Sequence, residues 1–449
     1  MKCLCSWLVV VIGVLAYEII LGGIVGENAL RFTGQAMAGE SQPGNPLCAE
    51  CQSKGGDHRS HHHGSGDQTV GNPTSGLLLK GNLFLPDNPL EGSALFTEKY
   101  CIRCHSIQGI GGKTGPDLGE IHLGSFSEIT ADLWNHFPRM NEAFREAKIA
   151  WPDLTTEETR KLITFLYYLN YFDKASNTEL GEKLFHEKNC IRCHSLGGKG
   201  GDIGPKLDSF QTKYPVPYIT AALWNSGPKM LETMLKERIT RPEFRERDVI
   251  EILGYIRSNG LSGETTRSYL SPGSPVAGKK LFEKNKCNHC HAILGKGGTI
   301  GPDLFQRNMK GSLSYILSQL WNHGSNMWPR MKQEGIDYPK FEPEEMSNLI
   351  SYLYFINFGD AGGSVEMGKR VFAEKDCKIC HIPEKPGEET IGPDLAEVGL
   401  ENPFDILSAM WNHAPAIQEK MEEEKIRWPL LKKEEMRDLF EYILSLKEE

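Results

Sequence analysis

Four stretches of the chain repeat one arrangement of apolar and polar positions. Each ends in an apolar stripe: Leu162, Phe165, Leu166, Leu169; Ile252, Tyr255, Ile256; Leu349, Tyr352, Leu353, Ile356; and Leu439, Tyr442, Ile443, Leu446. Apolar residues three and four apart share one helical face, so each stripe predicts an amphipathic helix with that face buried. Thr155 and Glu158 have the spacing of a capping box at the start of the first. Each stretch begins with a Gly four residues before a Phe: Gly92 and Phe96, Gly181 and Phe185, Gly278 and Phe282, Gly368 and Phe372. This spacing puts the pair on one face of a short helix. Between the two helices lies Leu-Trp-Asn in three copies and Met-Trp-Asn in the fourth, centred on Trp134, Trp224, Trp321 and Trp411.

The N-terminal region follows different rules. Leu4 to Val25 is a run of 22 residues, apolar except for Glu18, with Lys2 the early positive charge. About 20 apolar residues span a bilayer, so residues 1–25 read as a membrane anchor or as a signal peptide. Ala36-Met37-Ala38 offers a cleavage site for the latter. Glu18 is costly in a retained anchor, and the run is long for a signal core, so both readings stand. Residues 26–88 are polar and Gly-rich and read as a flexible tether. Within them, Cys48 and Cys51 form a Cys-x-x-Cys followed by Gln52, close to His58, His61, His62 and His63. A local disulfide, free thiols or a soft transition-metal site all suit that cluster.

Composition narrows the class. At 449 residues the chain exceeds one ordinary domain, and 39% apolar residues make lean cores. A net charge of −9 argues against nucleic acid and suits a basic docking partner.

The chemistry lies in Cys101-Ile102-Arg103-Cys104-His105 and its recurrences at Cys190, Cys193, His194; Cys287, Cys290, His291; and Cys377, Cys380, His381. Composition alone would produce about 0.01 such matches. Two thiols one helical turn apart can each reach one vinyl group of the same porphyrin, and the next imidazole is aimed at its iron. A zinc site would need a second ligand pair nearby. The Cys48 to Cys51 pair has Gln52 where the histidine would stand and is not a fifth site, so four covalently bound haem c (iron) are expected.

The motifs start at 101, 190, 287 and 377, a period near 90, and each is followed by Gly-Pro and a Leu two residues on. These pairs are Gly115-Pro116, Gly204-Pro205, Gly301-Pro302 and Gly392-Pro393. A fixed period means tandem copies of one small domain. Each copy resembles a class I c-type cytochrome. The resemblance implies an all-α fold of four tandem domains, 89–172, 177–259, 273–358 and 364–449, in which the first helix crosses the last. It also implies that Pro116, Pro205, Pro302 and Pro393 accept a hydrogen bond from the proximal histidine through their carbonyls.

By the same resemblance the second axial ligand is a methionine before the terminal helix. Counting from the repeat Trp, position +6 holds Met140, Met230 and Met327 but Ile417, and +10 holds Met234, Met331 and Met421 but Phe144. Met331 to Ile336 resembles the family's ligand loop, which favours Met234, Met331 and Met421, with Met140 for copy 1. Pro138, Pro228 and Pro415, at +4, suggest a helix break that would let the +6 register serve instead. His136, His323 and His413 stand at +2, where copy 2 has Ser226, so a polar role is expected for them. His136 or an open site is the alternative for copy 1.

Spans of 9, 19 and 10 residues separate the copies (Phe172 to Gly181, Asn259 to Gly278, Phe358 to Gly368), which suggests pairs 1–2 and 3–4 with a looser middle joint. The expected activity is periplasmic electron transfer between redox protein partners, a membrane oxidoreductase among them, rather than catalysis. A haem enzyme of peroxidase or oxyanion-reductase type, open in domain 1, is the other reading.

Overall fold

A computed structural model describes residues 83–209, 216–259, 273–307, 311–360, 362–381 and 391–447. The apolar run, Cys48, Cys51 and the neighbouring histidines lie outside the described residues. Among the described residues no helix is long and apolar enough to cross a membrane. The last residues of the stretch read as tether are docked: the Phe84 ring lies 5.6 Å from Phe358 and 5.2 Å from Phe404. Burying that ring beats the local polarity on which the tether boundary rested.

Each copy is built on three helices. They are Gly92–Glu98, Phe126–Glu146 and Thr156–Tyr168 in copy 1, and Thr178–Glu187, Val216–Lys236 and Asp248–Ser258 in copy 2. Copy 3 has Pro275–Lys284, Leu313–Gln333 and Pro343–Phe355, and copy 4 has Val365–Glu374, Pro403–Glu423 and Lys433–Ser445. The first and last helices of each copy cross in contact. A Cβ on Gly92 would lie 2.2 Å from the Lys161 carbonyl oxygen, and one on Gly278 would lie 1.9 Å from that of Asn348. The neighbouring Phe then meets the aromatic of the terminal helix: Phe96 with Phe165 at 6.1 Å, Phe185 with Tyr255 at 5.7 Å, Phe282 with Tyr352 at 5.5 Å and Phe372 with Tyr442 at 5.4 Å. The capping box is formed, with Thr155 accepting from the Glu158 amide.

The middle helix departs from expectation. It does not break at the +4 proline; Pro138, Pro228 and Pro415 lie inside continuous 21-residue helices. A proline at +4 cannot donate to the carbonyl of the repeat Trp one turn back. That carbonyl is taken by another copy. Trp134 O accepts from Trp428 Nε1 at 3.0 Å, Trp411 O accepts from Trp151 Nε1 at 3.1 Å, and Trp224 O accepts from the Tyr338 hydroxyl. In copy 3, where Ser325 stands at +4, Arg241 donates to Trp321 O.

The same Trp-Asn pair grips the partner copy from the other side. Trp134 Nε1 donates to Pro429 O at 2.8 Å, and Asn135 pairs with both backbone groups of Leu431 at 2.8 Å. Reciprocally, Trp411 binds Pro152 O at 2.8 Å and Asn412 binds both groups of Leu154 at 2.8 Å. Trp224 with Pro339, Asn225 with Phe341, Trp321 with Pro242 and Asn322 with Phe244 repeat the arrangement. The gripped segments are Trp151-Pro-Asp-Leu154, Arg241-Pro-Glu-Phe244, Tyr338-Pro-Lys-Phe341 and Trp428-Pro-Leu-Leu431, each just before a terminal helix. The Trp rings stack as well, Trp134 on Trp428 at 4.2 Å.

The pairs are therefore 1 with 4 and 2 with 3, not 1 with 2 and 3 with 4. Linker length favours neighbours, but the reciprocal directional hydrogen bonds of each clasp outweigh it. Copies 1 and 3 meet at the centre through matching residues. Tyr167 donates to Tyr354 O at 3.1 Å and Tyr354 donates to Tyr167 O at 2.6 Å. Asp360 accepts from Ser125 Oγ and the Ser127 amide at the start of the copy 1 middle helix, at 2.6 and 2.9 Å. Asp173 does the same for Ser312 Oγ at 2.5 Å and the Ser314 amide at 3.1 Å. These reciprocal contacts relate copies 1–2 to copies 3–4 as two halves that exchange partners.

Candidate functional site

Each Cys-x-x-Cys-His motif is placed by one backbone device. The residue before the first cysteine is left-handed: Tyr100 (φ 66), Asn189 (φ 62), Lys286 (φ 57) and Asp376 (φ 63). This turns the chain out of the first helix and into a single helical turn, Cys101–Cys104, Cys190–Cys193, Cys287–Cys290 or Lys378–His381. The two thiols of each motif thus sit one turn apart, as sequence spacing predicts. All eight are free. Burial pushes the first thiol of each pair, Cys101, Cys190, Cys287 and Cys377, up to about 11. That is opposite to a redox dithiol, whose attacking thiol is made acidic. Among the described residues no three His, Cys, Asp or Glu side chains converge as a protein-only metal site.

The histidines are oriented by the prolines named above. His105 Nδ1 lies 3.0 Å from Pro116 O, His194 2.9 Å from Pro205 O, His291 3.0 Å from Pro302 O and His381 3.1 Å from Pro393 O. A carbonyl only accepts, so Nδ1–H donates and Nε2 is left with its lone pair. Burial holds His291 and His381 below the ordinary histidine value, which keeps that lone pair at neutral pH. The preceding Gly makes room: a Cβ on Gly115, Gly204 or Gly301 would be 2.5 Å from the ring, and on Gly392 2.7 Å. Asp117 and Asp303 tie down the hairpin that follows the motif by accepting from backbone amides.

In copy 3 the arrangement opens onto a cavity of about 440 Å³. Cys287, Cys290 and His291 form one side, and His323, Met327 and Met331 from the middle helix face it. Apolar walls, two thiols and a basic ring nitrogen suit a covalently attached haem, so the residues present fit the expected group.

Both methionine registers lie on the middle helix, one turn apart on one face. The stretch Met331 to Ile336 is not a loop. It is a helix end in which Ile336 N donates to Met331 O at 2.8 Å past a left-handed Gly335. Ile149 to Phe144, Ile239 to Met234 and Ile426 to Met421 repeat this at 2.9, 2.8 and 2.8 Å. The apparent ligand-loop pattern around +10 is thus a recurring helix stop. Met234 and Met230 both pack against the core, and Met140 and Met421 are half-buried. Phe144, which replaces methionine at +10 in copy 1, lies 5.1 Å from Trp151 within the clasp. The residue signals missed in the sequence are the Asn of Trp-Asn and the aromatic-Pro or Arg-Pro segments, whose fourfold recurrence was legible but whose partners lie in another copy.

The family model described as "Cytochrome c" matches residues 90–170, 178–260, 275–354 and 365–447. A nitric oxide reductase subunit from Halomonas halodenitrificans is 31% identical over 88 residues, which is 18% of this chain and 57% of that protein. The match therefore spans little more than half of that relative. No solved structure matches.

Proposed function

The chain belongs to the cytochrome c family, and on that premise we propose that it is a tetrahaem electron carrier working outside the cytoplasmic membrane. The observation that carries this reading is the fourfold site: in every copy a motif turn, a histidine with Nδ1 on a proline carbonyl, and a glycine that only a close ring explains. A haem c held there supplies one-electron chemistry at its iron. Cys101, Cys104, Cys190, Cys193, Cys287, Cys290, Cys377 and Cys380 would hold it covalently, and His105, His194, His291 and His381 would ligate it. The proline carbonyls fix each ring and raise its basicity, which tunes potential rather than reactivity. Met230 or Met234, Met327 or Met331, and Met421 are the methionine candidates on the opposite faces of copies 2 to 4.

The partner class is a membrane or periplasmic oxidoreductase. The relative's name makes it part of a nitric oxide reductase, and residues 1–25 supply an export signal or an anchor for such a position. The haem-enzyme reading needs a bare sixth side in copy 1. There His136 faces His105 with ring centroids 6.4 Å apart, which favours a carrier. Absorption and EPR spectra of the purified protein, with and without cyanide or carbon monoxide, test the proposal. Four low-spin haems that bind neither ligand are expected; a haem that binds either one overturns the carrier reading.

A further inference from the structure

We infer that His136 is the second axial ligand of the copy 1 haem, so that this copy is bis-histidine while copy 2 relies on methionine. The inference rests on the haem-carrier reading above and concerns how one site differs from the others.

In copy 1 the rings of the two histidines face each other at close range. His105 has Nδ1 on Pro116 O, which leaves the lone pair on Nε2. Its ring faces His136 on the middle helix, with ring centroids 6.4 Å apart and planes at 53°. Imidazole nitrogens bind a metal at about 2 Å. Two rings on opposite sides of one ion therefore have centroids roughly 6 Å apart, with no constraint on the angle between their planes. His136 is half-buried, and among the described residues neither of its nitrogens is hydrogen-bonded.

The equivalent residues behave differently. His323 and His413 are exposed; each holds Nδ1 on its own helix, 2.9 Å from Gln319 O and 2.9 Å from Ala409 O, which leaves Nε2 free, but their copies keep Met331 and Met421 at +10. Copy 2 has Ser226 at this place, also exposed, which cannot serve. Copy 1 is also the copy that has given up methionine at +10, where Phe144 is committed to the Trp151 contact. Met140 remains one turn beyond His136 on the same face. One turn is about 5.4 Å along the axis, so His136 and Met140 cannot both stand opposite His105, and it is the His136 ring that faces it. Nitrogen in place of thioether sulfur stabilises the ferric state, so copy 1 becomes the low-potential member of the set.

Near-infrared magnetic circular dichroism of the ferric, full-length protein separates the two ligand sets, with haem count per chain taken in parallel. One His/His haem in four is expected. His136→Ala should remove that signal and leave the other three unchanged. His136→Met, a milder change where the alanine variant folds poorly, should convert it to His/Met and raise the midpoint potential of one haem only. Met140→Leu should change neither. An unchanged spectrum in both His136 variants, or loss of ligation in Met140→Leu, overturns the assignment while leaving the carrier reading intact. A chain without covalent haem overturns both.

Discussion

Gly115, Gly204, Gly301 and Gly392 are held to glycine by the imidazole beside them. At Gly301 a Cβ would stand 2.5 Å from His291 Cε1, so Gly301→Ala must push the ring off Pro302 O. The expected result is a chain that loses haem from copy 3 alone, falling from four to three per chain. Unchanged haem content would show that the ring has room to move. A second residue-scale test concerns Glu158. Its carboxyl is held below the ordinary value of 4.5, first by the Lys99 ammonium and then by the Thr155 amide. A depressed folded-state pKa means that the stabilisation is present above pH 4.5 and is lost as pH falls through the lower folded value. Glu158→Gln should therefore flatten the acid limb of stability against pH. At this scale the sequence was most legible. The Cys-x-x-Cys-His motifs are encoded in local spacing within one copy, while the proline carbonyls and the Gly–Phe crossings came from the family resemblance that those residues carry. His136 was given a polar role by a rule drawn from all four copies, with ligation kept as the alternative to Met140 in copy 1.

The middle helix shows where local rules stop. Proline inside a helix costs about 3 kcal/mol, and a break was expected there for that reason. In the fold the proline frees the Trp134 carbonyl, which then accepts from Trp428. The two changes should be coupled. Trp428→Phe leaves that carbonyl orphaned and should cost about 1–3 kcal/mol from this bond alone. In a Pro138→Ala background the new amide can take the carbonyl, and the cost should shrink by ~1 kcal/mol or more. A double-mutant cycle by denaturant unfolding measures the difference; additive effects would mean that the proline and the clasp are independent. The same helix explains the methionine ambiguity. Sequence spacing could not distinguish +6 from +10 because both lie on one face of an unbroken helix, and the pattern that favoured +10 is the helix stop at Ile149, Ile239, Ile336 and Ile426.

At the scale of the molecule, the clasp decides which copies lie against each other. Trp224 of copy 2 lines the cavity of copy 3, so the residue that locks the pair also borders its redox site. The structure thus packs the copies as pairs 1–4 and 2–3, joined where Tyr167 meets Tyr354. The sequence could not show this. Linker lengths report which copies are tethered, whereas pairing follows from which Trp-Asn meets which proline segment, and all four are alike. A protease site placed within 260–272 tests the exchange. After cleavage the halves 1–2 and 3–4 should stay together through size-exclusion chromatography, because both clasps cross between them. Halves that separate would restore the neighbour pairing.

Covalent haem in all four pockets is the central claim. Intact-mass spectrometry under denaturing conditions, on protein made in a host that exports and ligates haem c, tests it most directly. The predicted result is one species that is heavier than its polypeptide by four haems, with none released by acid or denaturant. A mass without haem, or with fewer than four in the unmutated chain, would contradict it.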